Sequence, residues 1–155
     1  MTTATLQVRS DADFARLHEL LVEYERYLPS ALRHGPVPGQ SELPATYAAP
    51  AAAFLALSDA EAIGCVAVTP LDAATAVLLR LYVRQEHRGA GAGRSLVTSA
   101  LAFLRESGYE RVVLETDKGQ LEPAYRLYLS LGFAECTPYA AGHTDCATFM
   151  ELRFL

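Results

Sequence analysis

Residues 81–94 read L-Y-V-R-Q-E-H-R-G-A-G-A-G-R, and no other stretch narrows the possible folds as far. Just upstream, residues 78–83 are apolar and rich in strand formers, and Gly89, Gly91 and Gly93 then crowd together. Downstream, Leu96, Val97, Ala100, Leu101 and Leu104 recur at helical spacing, with Gly108 placed to end the helix. The order is therefore strand, glycine-rich turn, helix start. Glycines let a backbone approach a ligand closely and reach positive φ. A helix N-terminus adds unpaired N–H groups and the positive end of a dipole, which together favour phosphate. Arg84, His87, Arg88 and Arg94 bring positive charge to the same place. The pattern fits a phosphate cradle; the plainer reading, a flexible turn between strand and helix, uses the same glycines.

Two familiar cradles do not fit. No Gly-Lys-Ser/Thr follows the glycines, as a Walker A loop requires. The run 89–93, G-A-G-A-G, lacks the G-x-G-x-x-G spacing of a dinucleotide fingerprint, and no first-strand βαβ unit precedes it.

The run Arg88-Gly89-Ala90-Gly91-Ala92-Gly93 resembles the Q/R-x-x-G-x-G/A motif of the GNAT superfamily of acetyl-CoA-dependent N-acetyltransferases. The likeness continues upstream through residues 80–84 (R-L-Y-V-R). Downstream, Ala124-Tyr125-Arg126-Leu127-Tyr128 and Leu131-Gly132-Phe133 resemble the family's A-x-x-L-Y…G-F segment. The resemblance is strong over residues 77–133 and weak before residue 60. It implies an α/β (α+β mixed) single domain over residues 1–155, with a mixed, mostly antiparallel sheet of about six to seven strands flanked by about four helices. It also implies that two central parallel strands splay apart to admit the cosubstrate.

Composition agrees with one globular domain: 155 residues, 51% hydrophobic and 20% charged. A net charge of −5 argues against a dedicated nucleic-acid binder. Cys65, Cys136 and Cys146 form no C-x-x-C, so neither a disulfide framework nor a zinc site is indicated, and no metal is expected. No apolar run reaches membrane-spanning length, so a soluble cytoplasmic protein without a membrane partner is expected.

Along the chain, residues 5–9 suit an opening strand. Ser10 or Asp11 offers an N-cap to a helix whose apolar face carries Phe14, Leu17, Leu20, Leu21 and Tyr24, running to about Leu28. Residues 29–50 hold five of the eight prolines, which excludes a long helix and allows only a short helical turn near 41–47. A loop this long in a small domain fits a substrate-side lid, with His34, Glu42 and Tyr47 as its polar equipment. Residues 52–57 and 62–68 read as a hairpin around Ser58-Asp59-Ala60-Glu61. A strand at 75–83, a helix at 94–107 and a strand at 111–116 follow. A helix then starts near Pro123 and stops at Gly132, and two strands, 133–137 and 147–154, enclose a polar loop at 139–145.

The chemistry expected of the site follows from what coenzyme A presents. Its pyrophosphate needs N–H donors and positive charge, available from Arg88, Gly89, Ala90, Gly91, Ala92, Gly93 and Arg94. Its pantetheine arm can add as an extra strand along a sheet edge, which the resemblance puts at Leu81, Tyr82 and Val83. A backbone N–H there would face the developing oxyanion. Tyr128 matches the tyrosine the family commonly uses as general acid; a core aromatic is the bland alternative. Leu121 stands where relatives often carry an asparagine. Residues 76–80 carry no carboxylate where many relatives place the glutamate that deprotonates the amine, so Glu115, His143 and Asp145 are the base candidates, Glu115 foremost. Arg80, the one charge in an apolar strand, either meets a carboxylate or faces the acceptor pocket, in which case the acceptor carries a carboxylate. Arg80 and Tyr24 are the candidate acceptor contacts. The expected reaction is direct acetyl transfer to a primary amine of a small molecule, amino-acid derivative or peptide. The alternative is a non-catalytic acyl-CoA-binding regulatory module. A homodimer is common among the relatives resembled.

Overall fold

A computed structural model describes residues 3–142 and 144–154, so His143 lies outside the described residues. The described elements are β1 (Thr3–Gln7), α1 (Asp11–Tyr27), α2 (Leu43–Thr46), β2 (Ala52–Ser58), β3 (Glu61–Pro70), β4 (Thr75–Val83), α3 (Ala92–Glu106), β5 (Arg111–Thr116), α4 (Glu122–Ser130), β6 (Ala134–Glu135) and β7 (Thr148–Arg153). The strands form one seven-stranded sheet in the order β1-β2-β3-β4-β5-β7-β6. All neighbours are antiparallel except β4 and β5.

Period-two alternation in β2 divides the core. Ala53 and Leu55 pack with Phe14, Leu17, Leu20 and Leu21 of α1 and Leu43 of α2. Phe54 and Ala56 pack on the other face with Leu96, Val97, Ala100 and Leu104 of α3 and Tyr128 of α4. The capping box at Ser10, reciprocated by Asp13, starts α1 where the sequence predicts. The loop at 29–50 is anchored rather than free. It contains 3-10 turns at Ser30–Leu32 and Gln40–Glu42, and it buries Leu32 and Leu43. Asp59 and Ala60, at φ 49° and 71°, make the β2–β3 hairpin turn without glycine.

Several boundaries differ from expectation, and β1 spans Thr3–Gln7 rather than 5–9. Helix α3 starts at Ala92, because Gly91 at φ 89° serves as its N-cap. Strand β6 spans only Ala134–Glu135 rather than 133–137; Cys136 adds one hydrogen bond to the Phe149 carbonyl, and Pro138, lacking an N–H, cannot extend the edge. Strand β7 spans Thr148–Arg153 rather than 147–154.

What positions the site is β4. It pairs with β5 only from Thr75 to Val77, opposite Arg111 to Val113. Beyond those three pairs, the C-terminal halves of the two strands separate. A bulge lies at the point of departure. Cys65 pairs with Tyr82 and Ala67 with Leu79, so β4 carries an extra residue there, and Arg80 takes φ 62°. A non-glycine residue in the left-handed region costs about 1–2 kcal/mol, so the surrounding sheet must hold it.

Candidate active site

The separation of β4 from β5 opens a cleft of ≈ 360 Å³. Of the residues expected to hold the cosubstrate, Leu81, Tyr82, Val83, Arg88, Gly89, Gly91, Ala92, Gly93 and Arg94 line it. Ala90 does not; it is exposed at the loop tip. Tyr24, Arg80, Glu115 and Tyr128 line the same cleft, whereas Asp145 is exposed and does not line it. Gly91 has nothing within 4 Å of where a Cβ would stand, leaving the N-terminus of α3 open to the cleft mouth.

The arginines part company. Arg88 donates from Nε to the Val83 carbonyl at 2.9 Å, and its guanidinium lies 4.3 Å from the Tyr27 ring centroid. Arg94 bonds Ser130 Oγ at 2.7 Å, tying α3 to α4. Arg84 is not part of the cradle. Its Nη2 sits 2.7 Å from Glu23, its Nη1 donates to the Ala62 carbonyl at 2.9 Å, and it is absent from the cleft lining. It braces α1 against the β3–β4 hairpin.

Tyr128 is buried on the inner face of α4, its ring 5.7 Å from Phe133. Burial, with a smaller contribution from Tyr24, pushes its hydroxyl far above the ordinary phenol value, so it keeps its proton across the working pH range. Tyr125 points outward and donates to Glu135 at 2.7 Å. Leu121 lines the cleft at the start of α4, an apolar contact where an amide is common. Glu115 is close enough to Tyr139 to assist burial in pushing that phenol up to about 12.

The sequence reading missed Glu25. It falls four residues after Leu21, on the apolar face of α1, and that register was the available signal. Glu25 is buried and accepts from the His34 backbone N–H at 2.6 Å and from His34 Nδ1 at 2.9 Å. Arg80 Nη1 stands 3.9 Å away, so Arg80 meets a carboxylate and lines the cleft as well. Burial pushes the Glu25 carboxyl up. The His34 hydrogen bonds and the nearby positive charges outweigh it, and the group lies below its ordinary value.

The site is thus a cleft between splayed parallel strands, closed at one end by a short pairing and faced at the other by a glycine-capped helix. The model of the acetyltransferase (GNAT) family matches residues 14–133, and the chain belongs to that family. It is 41% identical over 85 residues to human N-acetyltransferase 8B, covering 52% of this chain and 37% of the relative. It is 39% identical over 93 residues to an uncharacterized N-acetyltransferase of Schizosaccharomyces pombe, covering 59% of this chain and 56% of that one. The matched stretches thus span about half or less of these relatives. Among solved structures, yncA of Salmonella typhimurium, solved with its cofactor acetyl-CoA, superposes with a TM-score of 0.81 at 19% identity, covering 99% of this chain and 94% of that one. A ribosomal-protein-alanine N-acetyltransferase of Brucella melitensis gives 0.80 at 17% identity, covering 97% and 99%. These two establish the likeness of fold.

Proposed function

We propose that this chain is an acetyl-CoA-dependent N-acetyltransferase acting on a primary amine of a small molecule, amino-acid derivative or peptide. In this reading residues 1–155 work as one catalytic domain in the cytoplasm, as a monomer or homodimer, without metal, membrane or nucleic acid. Among the described residues no helix is long and apolar enough to cross a membrane, and no cluster of three or more His, Cys, Asp or Glu could hold a metal ion.

The observation that carries the reading is the conjunction of the β4–β5 cleft, the open α3 N-terminus at its mouth and the buried, protonated Tyr128 in its wall. The residues suit coenzyme A. Gly89, Gly91 and Gly93 let backbone N–H groups reach the pyrophosphate, with Ala90 completing the loop and Ala92 opening the helix. Arg88 and Arg94 add charge, and the Leu81–Tyr82–Val83 edge of β4 receives the pantetheine arm as an extra strand. Acetyl-CoA supplies the activated acyl group. The bulge at Arg80 interrupts the regular pairing of β4 beside the cleft, and in this reading an N–H of that edge meets the thioester oxygen. The neutral amine attacks the carbonyl carbon, the C–S bond breaks, and Tyr128 gives its proton to the departing sulfur. Glu115, on the β5 wall, is the carboxylate an incoming ammonium meets and a candidate for its proton; Tyr24 and Arg80 border the acceptor.

Isothermal titration of acetyl-CoA into the wild type and a Gly91→Glu variant tests the reading. Binding to the wild type alone is expected. Binding to neither would remove the cradle, and binding without any acetyl transfer would favour a regulatory acyl-CoA-binding module.

A further inference from the structure

An arginine cannot shed its charge by losing a proton, so one largely withdrawn from water calls for an anion against it. The side chains of Arg84, Arg111 and Arg80 are covered to nearly the same extent, at 18%, 22% and 23% exposed. Arg84 has Glu23 at 2.7 Å, and Arg111 has Glu151 at 2.7 Å. Arg80 has Glu25 at 3.9 Å, beyond hydrogen-bond reach. Both Glu25 oxygens are already engaged by His34, one with its backbone N–H at 2.6 Å and the other with its Nδ1 at 2.9 Å. Tyr47, whose phenol burial keeps neutral, stands beside the guanidinium as well and brings it no charge. Arg80 is thus held in place without being closely paired.

Its remaining donors are open to a ligand. Among the described residues no buried side-chain nitrogen or oxygen lacks a partner, so the guanidinium N–H groups without one face open volume. Arg80 lines the main cleft and also a smaller cavity of ≈ 60 Å³ bounded by α1 and the long loop, so that volume is available on both sides. It stands at φ 62° in the bulge where β4 leaves β5. A strained non-glycine residue persists only where its surroundings over-determine it, and such residues concentrate at ligand clamps. A guanidinium fork matches a planar oxyanion through two parallel N–H···O bonds. The negative charge of Glu25 nearby favours a carboxylate, with one charge, over a phosphate carrying nearly two. Tyr24, Leu28 and Leu79 line the same cleft and offer apolar surface to the carbon skeleton of such a ligand.

We infer that Arg80 determines specificity by binding a carboxylate on the acceptor, so that the amine acetylated belongs to a free amino acid or to an amino-acid derivative whose carboxylate is unblocked. This rests on the N-acetyltransferase reading above and names its acceptor class. The carboxylate docks on the Arg80 fork, and the attached amine is held beside the bulge, where the strands part. Fixing the amine through a group outside the reacting atoms lowers the entropy cost of the transfer. An amine without a nearby carboxylate, such as a lysine side chain of a folded protein or the N-terminus of a polypeptide, leaves the fork unfilled and is the poorer acceptor.

The test follows thiol release at saturating acetyl-CoA for the full chain and its Arg80→Gln and Arg80→Lys variants. The probes are the free amino acids, each beside its α-amide and, where one exists, its decarboxylated amine. Each kcat/KM is expressed per neutral amine, which removes the differing basicity of the three forms. The wild type should prefer the best free amino acid over its amide by about 10- to 150-fold, the range for hydrogen bonds to a charged group. In Arg80→Gln that ratio should fall close to one, chiefly through a higher KM for the free acid. Arg80→Lys should give an intermediate ratio, since it keeps the charge and loses the fork. Titration of acetyl-CoA into each variant shows whether it is folded; should Arg80→Gln fail to fold, the wild-type preference and Arg80→Lys decide. A wild type that acetylates amides or plain amines as well as the free acids would overturn the inference. So would a ratio unmoved in Arg80→Gln, including an equal loss on every acceptor, which would mark Arg80 as structural only. Binding of acetyl-CoA with no transfer to any acceptor would instead overturn the enzymatic reading itself.

Discussion

Gly64 offers a measurement of how tightly the cleft wall is built. It sits on β3 between Ala56 and Val83, and a Cβ added there would lie 2.7 Å from the Tyr82 carbonyl oxygen, 3.1 Å from Leu96 Cδ1 and 3.2 Å from Val83 Cγ2. Leu96 is fully buried and cannot swing clear. Ordinary contact begins near 3.4 Å, so in Gly64→Ala the β4 backbone must retreat by about 0.7 Å. Overpacking of this kind costs about 1–3 kcal/mol. For a chain of this length that corresponds to a melting point roughly 2–12 °C lower. The displaced backbone is the edge proposed to receive the pantetheine arm, and a sub-ångström misplacement should weaken acetyl-CoA binding by about tenfold. Gly39→Ala is the control: nothing lies within 4 Å of its Cβ and its φ of −60° suits alanine, so both quantities should stay at wild-type values. Thermal unfolding and calorimetric titration read the two effects separately. A Gly64→Ala protein that melts and binds like the wild type would refute the contact argument.

Tyr128→Phe should leave the acetyl-CoA Kd unchanged and lower kcat by about 10²–10⁴-fold, measured by thiol release at saturating cosubstrate. Arg84→Ala should destabilise the fold by about 1–3 kcal/mol in denaturant titration, because the Glu23 pair and the Ala62 carbonyl lose their donors; its cosubstrate affinity should hold, since Arg84 stands outside the cleft. Glu25 and Asp13 both lie below their ordinary carboxyl values in the folded chain. Their stabilisation is thus complete above the ordinary carboxylate range and is lost as pH falls through and below it, and Glu25→Gln should flatten that acid-side decline in melting temperature.

What the sequence made legible was local. The cradle could be read because strand, glycines and helix start are adjacent in the chain, and the α4 segment because its apolar spacing ends at a glycine, Gly132, at φ 101°. What stayed hidden depends on distant partners. Arg84 looks like free positive charge until Glu23, 61 residues earlier, is found against it. Glu25 reads as one more surface acid on α1 until His34 returns over it from the long loop. The left-handed turn at Arg80 has no sequence signature either, since glycine or asparagine would ordinarily announce it. That bulge is set by the register of β3, which no window along β4 contains.

The seam between β4 and β5 also bears on the lifetime of the protein. Strands β1 to β4 and strands β5, β7 and β6 share one sheet through three residue pairs, so the junction is held by few backbone bonds. A ligand laid along the open edge supplies further rungs to the native state and none to the unfolded chain. At a hundredfold excess over its Kd, such a ligand adds about 2.7 kcal/mol of stability. Because proteolysis often follows the population of opened states, a cell rich in that ligand would clear this protein more slowly than a starved one.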